Sequence, residues 1–323
     1  YESMERLNGI LNRHLNIWED KWGKDEREKS AADRLTGVIR RANEQTGRGV
    51  VVLVDEYDKP LLQTILDESL LDEYRKTLKA FYGVLKSADR YLRFVFLTGV
   101  TRFAQVSVFS DLNQLSDISM IPDYSTICGI TKEELVKVFT PEIEKVGKDN
   151  ELTFEETVEK MTVMYDGYHF REKTPGMFNP FSVLNVLKYR LFDNYWFQTG
   201  TPTFLVDLLK KSDYDLRTLI DGVQAEQSAF DEYRAEANNP IPLIYQSGYL
   251  TIKEYDPRFG MYTLCFPNEE VEYAFLKFLQ PAYSSVPDNE GGVHIQHCVR
   301  EMGSGDVPSF MQRMRAFLAD FPY

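Results

Sequence analysis

The sequence is poor in cysteine and has no long apolar run. Its three cysteines, Cys128, Cys265 and Cys298, form no Cys-x-x-Cys pair, which argues against a disulfide framework or a structural zinc site. The longest uninterrupted apolar runs lie at residues 50–54 and 94–97, far below the roughly 20 residues that a membrane-spanning helix needs. We therefore expect a cytoplasmic protein with no membrane partner.

Positive charge is also in short supply. The chain has 37 Lys and Arg residues against 50 Asp and Glu residues, a net charge of −13. This balance argues against a broad nucleic-acid-binding surface and leaves a local basic groove open. With 323 residues, 43% of them hydrophobic and 27% charged, the chain has an ordinary globular composition and room for two or three domains.

A third absence concerns phosphate binding. A P-loop has the pattern Gly-x-x-x-x-Gly-Lys-[Ser/Thr], in which backbone N–H groups and a lysine hold the phosphates. The Gly-Lys pairs of this sequence are Gly23-Lys24 and Gly147-Lys148. Neither has a glycine five residues earlier, and neither is followed by Ser or Thr. Most of the binding energy for a triphosphate is therefore missing from this chain.

The residues that follow residue 49 predict a strand, a helix and a second strand. Residues 50–54 are a continuous run of Val and Leu, which is typical of a strand buried on both faces in a parallel sheet. Residues 66–85 repeat apolar side chains on one helical face, and residues 91–97 form another short apolar strand. Such a unit predicts a right-handed crossover between two parallel strands.

Asp55 and Glu56 follow the first strand directly. Ligands of doubly wound sheets bind at the carboxyl ends of the strands. There, Asp55 could hold Mg²⁺ through water, and Glu56 could orient an attacking water. The alternative is a pair of acids that complement the dipole of the following helix.

Thr98 and Arg102 follow the second strand. A polar side chain at this strand end could respond to the γ-phosphate of a nucleotide. The alternatives are a strand-ending turn at Thr98-Gly99 and a surface salt bridge for Arg102.

The rest of the chain reads as helices, a loop and a hairpin. Two Thr-x-x-Glu capping boxes, at Thr131 and Thr153, predict helix starts after a possible third strand at residues 125–130. Residues 165–180 read as an aromatic loop, in which His169 is expected to be packed or hydrogen-bonded. Residues 216–223 read as helical, and residues 249–266 predict a β-hairpin. The helix expected over residues 269–279 completes a winged-helix outline.

Taken together, these segments resemble the bacterial AAA-ATPase-like family that carries a C-terminal PD-(D/E)XK nuclease-like domain. The resemblance covers nearly the whole chain. The matching stretches are residues 1–3, LVDEYDKP at 53–60, FLTGVTRF at 96–103, DLN at 111–113, YDGYHF at 165–170, NPFS at 179–182, TGTPTFL at 199–205, QSGYLTI at 246–252 and YTL at 262–264.

The resemblance implies an α/β fold: a P-loop NTPase-like parallel sheet core, a helical lid and a winged-helix domain. It makes Asp55-Glu56 a Walker B pair and residues 98–102 a sensor-like strand end. The family's P-loop lies upstream of residue 1, and its nuclease domain runs on past residue 323, so we expect a piece of a longer protein. The expected units are an ATPase-like core at 1–130, a lid at 131–198, a winged helix at 199–283, and a linker with the first nuclease-like helix at 284–323.

Two functions follow as hypotheses. In the first, the chain is the central part of an ATP-binding and ATP-hydrolysing switch coupled to the nuclease-like domain, with catalytic Glu56, Thr98 and Arg102 and with Asp55 binding the nucleotide's Mg²⁺. ATP and Mg²⁺ are then cofactors of the full-length protein, and none is expected to bind this inactive piece. In the second, a degenerate ATPase fold is an interaction scaffold. Partners are a protein or a second copy, and nucleic acid only through the missing C-terminal domain.

Overall fold

The computed structural model describes residues 3–64, 67–100, 115–196, 205, 209, 214, 218–226, 230, 239–283 and 300–319. Within these residues the fold is mixed α/β, with helices packed around three small sheets. The helices are α1 (Met4–Trp22), α2 (Ala31–Thr46), α3 (Lys59–Leu62), α4 (Glu68–Ser87), α5 (Lys132–Asp149), α6 (Phe154–Tyr165), α7 (Pro180–Tyr189), α8 (Thr218–Asp221), α9 (Ile241–Gln246), α10 (Glu269–Tyr283) and α11 (Val307–Ala319). The strands are β1 (Val50–Val54), β2 (Leu92–Leu97), β3 (Ile130–Thr131), β4 (Met177–Phe178), β5 (Val223–Glu226), β6 (Thr251–Asp256) and β7 (Met261–Cys265).

Helices α1 and α2 pack together at the start of the chain. Ser3 and Ser30 cap their N-termini, the latter in a capping box with Asp33, and each bond satisfies a backbone N–H that the helix leaves open. Arg34 on α2 pairs with the buried Glu19 on α1, with its Nε 2.7 Å from Glu19 Oε1. This polar link joins two helices whose apolar stripes enter the same core.

Strands β1 and β2 are parallel neighbours joined through α3 and α4, as the sequence predicts. Val54 lies opposite Leu97, so both strands end at the same edge of the sheet. One face packs on the larger apolar core. The prediction that β1 is buried on both faces is wrong for the described residues, because Val51 and Leu53 on the other face are 51% and 69% exposed.

Helices α5, α6 and α7 enclose a second apolar core, together with the short antiparallel pair β3 and β4. Both predicted capping boxes are present at Thr131 and Thr153. The third strand expected at residues 125–130 is wrong: these residues form turns, and only Ile130 and Thr131 pair with β4, in a separate antiparallel sheet.

Residues 218–283 contain the three-stranded antiparallel sheet, in the order β5-β7-β6, followed by α10. The predicted hairpin is confirmed as β6 and β7. The helix expected over residues 216–223 is corrected: α8 stops at Asp221, Gly222 has a φ of +92°, and Val223 begins β5 opposite Leu264. No helix within the described residues is long and apolar enough to cross a membrane.

Candidate functional site

The parallel strands bring Asp55 and Thr98 together at the carboxyl edge of the sheet. The Thr98 N–H donates to the Val54 carbonyl at 2.8 Å, which continues the strand pairing by one residue. The Thr98 hydroxyl then donates to Asp55 Oδ1 at 2.5 Å. Asp55 and Thr98, each singled out because it follows a predicted strand, therefore form one polar pair.

Glu56 lies beside this pair in a strained backbone conformation. Its φ is +54°, in the left-handed region that costs a non-glycine residue on the order of 1 kcal/mol. Its side chain is half exposed and its Oε2 lies 2.5 Å from Lys59 Nζ, which is also half exposed. Exposed ion pairs of this kind are weak, so Lys59 can release the carboxylate at little cost.

The turn after Glu56 packs against the end of β2. The Tyr57 N–H donates to the Thr98 carbonyl at 3.0 Å. The buried Asp58 accepts from the Val100 N–H through its Oδ1 at 3.1 Å. Sequence reasoning missed Asp58. The available signal was an aspartate directly before Lys59-Pro60, at the position that precedes a helix.

The chemistry of this edge suits a hydrated hard cation. Asp55 and Thr98 offer carboxylate and hydroxyl oxygens, which are ligands that Mg²⁺ accepts directly or through water. Among the described residues, no cluster of three His, Cys, Asp or Glu side chains could hold a metal by itself. Asp55 therefore fits a Mg²⁺ that keeps most of its water and phosphate ligands. Arg102 lies outside the described residues.

The uncovered face of the β1–β2 sheet adjoins this edge. Val51, Leu53 and Phe94 are each more than half exposed, and the Phe94 and Phe96 rings stack with centroids 6.1 Å apart. Parallel sheets occur almost only with both faces covered. The sheet that carries the candidate site is thus open on one side within the described residues.

The aromatic loop makes contacts inside the molecule. Its predicted bounds of 165–180 are too wide, because Tyr165 is the last residue of α6, Met177–Phe178 form β4 and Pro180 begins α7. His169 donates its N–H to Thr251 Oγ1 at 2.7 Å, and its ring Nδ1 lies 2.9 Å from the Thr174 carbonyl, so His169 is hydrogen-bonded, as expected. Asn268 Nδ2 donates to the Asp166 carbonyl at 2.8 Å. These bonds attach the loop to β6 and to the residue that precedes α10.

Glu270 is another buried acid that sequence reasoning did not single out as a contact. It lies in the first turn of α10, where Oε2 accepts from the Ser182 hydroxyl at 2.7 Å and Oε1 accepts from the Trp196 N–H at 2.9 Å. Burial raises the pKa of this carboxyl above its ordinary value, against the opposing effect of the hydrogen bonds. Glu270 therefore joins α10 to α7 and to the segment that follows it.

Comparison with known proteins gives first a family-model match over part of the chain. Residues 1–109 match the AAA-ATPase-like family, described as predicted AAA-ATPase. The match includes both parallel strands and Asp55, Glu56, Thr98 and Arg102.

A particular relative matches over a longer stretch. The chain is 34% identical over 325 residues to an uncharacterized protein in the vnfD 5′ region of Azotobacter chroococcum mcd 1. The alignment covers 98% of this chain, and the chain spans 59% of the length of that relative. No solved structure matches the chain.

Proposed function

We propose that this chain is the central part of an AAA-ATPase-like protein, an ATP-binding and ATP-hydrolysing switch coupled to a nuclease-like C-terminal domain. The observation that carries the proposal is the Thr98–Asp55 hydrogen bond at the shared edge of two parallel strands. Ligands of open parallel sheets bind at that edge. The family match to residues 1–109 supports the same class.

The residues have separate roles in this proposal. Asp55 holds the hydrated Mg²⁺ of the nucleotide, which neutralises phosphate charge when bound. Glu56 orients the attacking water and accepts its proton. The Thr98 hydroxyl holds Asp55 in place and would respond to the γ-phosphate of a bound nucleotide. Arg102, in the same sensor-like segment, supplies a positive charge.

The open sheet face supports a longer protein. Val51, Leu53 and Phe94 present an apolar surface to solvent, and the sequence has no phosphate loop. We place the missing P-loop strand and helix of the longer protein against this sheet. The 323-residue chain by itself should then show no ATPase activity.

The proposal divides the second half of the chain into three further units. Helices α5 to α7 are the lid over residues 131–198. The β5-β7-β6 sheet with α10 is the core of a winged-helix domain over residues 199–283, and residues 284–323 lead into the nuclease-like domain. Three acids open α10, and Glu270 among them is buried against α7. This supports a winged helix that packs on protein rather than on DNA.

The direct test is Glu56→Gln in the longer protein. The variant should bind ATP–Mg²⁺ as the wild type does and lose turnover, because the amide cannot accept the proton of water. Glu68→Gln, an exposed acid at the start of α4, is the matched control and should leave turnover unchanged. Full turnover in Glu56→Gln would contradict the assigned role.

A second function is an interaction scaffold on a degenerate ATPase fold. The observation that favours it is the exposed apolar sheet face next to a site without a phosphate loop. In that case Asp55→Ala in the longer protein should leave partner binding intact. Loss of partner binding in Asp55→Ala together with loss of nucleotide binding would favour the switch.

A further inference from the structure

Asp58 stands immediately before a helix but does not cap it. An aspartate in this position normally accepts from a backbone N–H of the first helical turn. Asp58 makes no side-chain cap bond to α3. Its fully buried carboxylate instead accepts from the Val100 N–H, 42 residues further along the chain.

Gly99 shows how closely this carboxylate approaches the end of β2. A Cβ added at Gly99 would lie 2.7 Å from Asp58 Oδ1 and 2.6 Å from the Tyr57 ring. Both distances are shorter than side-chain carbons tolerate. The turn at Tyr57-Asp58 therefore packs directly against Gly99 at the end of β2, where any larger residue would clash.

The same turn carries the strained Glu56. A left-handed non-glycine residue persists only where its surroundings fix it. Among the described residues, two bonds between the turn and the end of β2 contribute here: Tyr57 N–H to the Thr98 carbonyl, and Val100 N–H to Asp58. One bond precedes Gly99 and the other follows it, and together they join the turn that contains Glu56 to the segment that contains Thr98.

We infer that Asp58 is a positioning residue for the acid pair. Its carboxylate fixes the backbone at residues 99–100 against the turn, which sets the orientation of Glu56 relative to Thr98. The inference rests on the proposed ATPase function for its consequence in turnover. The contact itself can be measured without any nucleotide.

The first test measures kcat and KM for ATP in the longer protein. Asp58→Ala should lower kcat at least about tenfold, since small misplacements of a catalytic group cost this much or more, and should leave KM within about twofold. Asp58→Asn keeps the Oδ1 acceptor and should restore most of kcat. The matched control is Asp67→Ala, which removes an aspartate that does cap its helix, α4, by accepting from the Leu70 N–H.

A merely structural role predicts a different result. Asp58→Ala and Asp67→Ala would then both lower stability and leave kcat per folded molecule unchanged, which would overturn the inference. If Asp58→Ala does not fold, Gly99→Ala serves in its place, because its added Cβ pushes the two segments apart without removing a polar group. Unchanged kcat in Gly99→Ala would overturn the inference as well.

The second test is amide hydrogen exchange in the 323-residue chain. Asp58→Ala should speed exchange of the Val100 and Tyr57 amides about fivefold or more relative to wild type, and Asp67→Ala should not. Absence of ATP turnover in the wild-type longer protein would refute the proposed function. Unchanged exchange at both amides would refute the positioning contact, whatever the turnover.

Discussion

Glu270 offers the sharpest stability prediction, because its buried carboxylate joins three segments of the chain. In Glu270→Ala, the Ser182 hydroxyl and the Trp196 N–H both lose their acceptor. A buried donor left without a partner costs about 1–3 kcal/mol. Allowing for some entry of water, we expect Glu270→Ala to lower the free energy of unfolding by about 2–4 kcal/mol.

Glu270→Gln should behave differently. The glutamine Oε1 can still accept from the Trp196 N–H, and its amide can donate to the Ser182 hydroxyl, which serves as donor or acceptor. Both bonds are kept in the same volume. We therefore expect Glu270→Gln to lie within about 1 kcal/mol of wild type at acid pH, where the wild-type carboxyl is protonated and offers the same donor and acceptor.

The pH dependence of the unfolding free energy separates the effect of the Glu270 charge from the effect of its side-chain shape. Because burial raises the folded pKa of Glu270, the folded state binds the proton more readily than the unfolded state. The stability that Glu270 contributes is thus fully present below the unfolded glutamate pKa of about 4.3 and is lost as the pH rises through the folded pKa. Wild type and Glu270→Gln should therefore have similar unfolding free energies at acid pH, and wild type should become less stable than Glu270→Gln as the pH rises towards neutral.

The assay is urea unfolding at a series of pH values, with Glu269→Ala as the matched control. Glu269 is the exposed neighbour in the same first helical turn, so it shares the effect of the helix dipole but not the buried contacts. A cost for Glu270→Ala no larger than that for Glu269→Ala would refute the reasoning. A pH-independent difference between wild type and Glu270→Gln would refute the charge argument alone.

Three further substitutions test packing. Gly167 has a φ of +103°, and an added Cβ would lie 2.1 Å from the Pro267 carbonyl oxygen, so Gly167→Ala should cost more than about 2 kcal/mol in urea unfolding. Gly83→Ala in α4, where an added Cβ meets nothing within 4 Å, should instead raise the free energy of unfolding by about 0.5–1 kcal/mol. Equal changes in stability for Gly167→Ala and Gly83→Ala would contradict this interpretation of the two positions. Leu53→Thr on the open sheet face should change the stability of this chain by less than about 0.5 kcal/mol and cost the longer protein about 2 kcal/mol or more. An equal loss of stability from Leu53→Thr in both proteins would contradict the proposal that this sheet face is covered in the longer protein.

Local sequence patterns predicted local structure well. The capping boxes at Thr131 and Thr153 start helices because their hydrogen bonds join residues only three apart. The pairing of β1 with β2 also followed, since a helical crossover between two apolar runs favours parallel neighbours. The meeting of Asp55 with Thr98 is a consequence of that topology.

The wrong predictions depended on distant partners. Residues 125–130 have strand propensity, but only Ile130 and Thr131 find a partner, at β4. Val223 reads as a helix end, yet it pairs with Leu264, because strand formation is decided by cross-strand neighbours. The Val-rich β1 satisfies the pattern of a buried strand while one of its faces has no cover within the described residues.

In the candidate site too, residues with a local sequence signal were predictable and residues with distant partners were not. Asp55 and Glu56 were predictable because they directly follow a recognisable strand. Asp58 was not, since its partner Val100 lies 42 residues away. Glu270 bonds to Ser182 at a separation of 88 residues, and no local pattern distinguishes it from the neighbouring acids Glu269 and Glu272, which are not buried.

The most direct test of the central claim is a calorimetric titration with ATP–Mg²⁺. It compares the 323-residue chain with a protein that extends it upstream through the proposed phosphate loop. We expect no binding to the chain and saturable one-to-one binding to the longer protein, weakened when Asp55 is replaced by Asn. Absence of nucleotide binding to the longer protein would contradict the assignment of Asp55 and Glu56 as a Walker B pair.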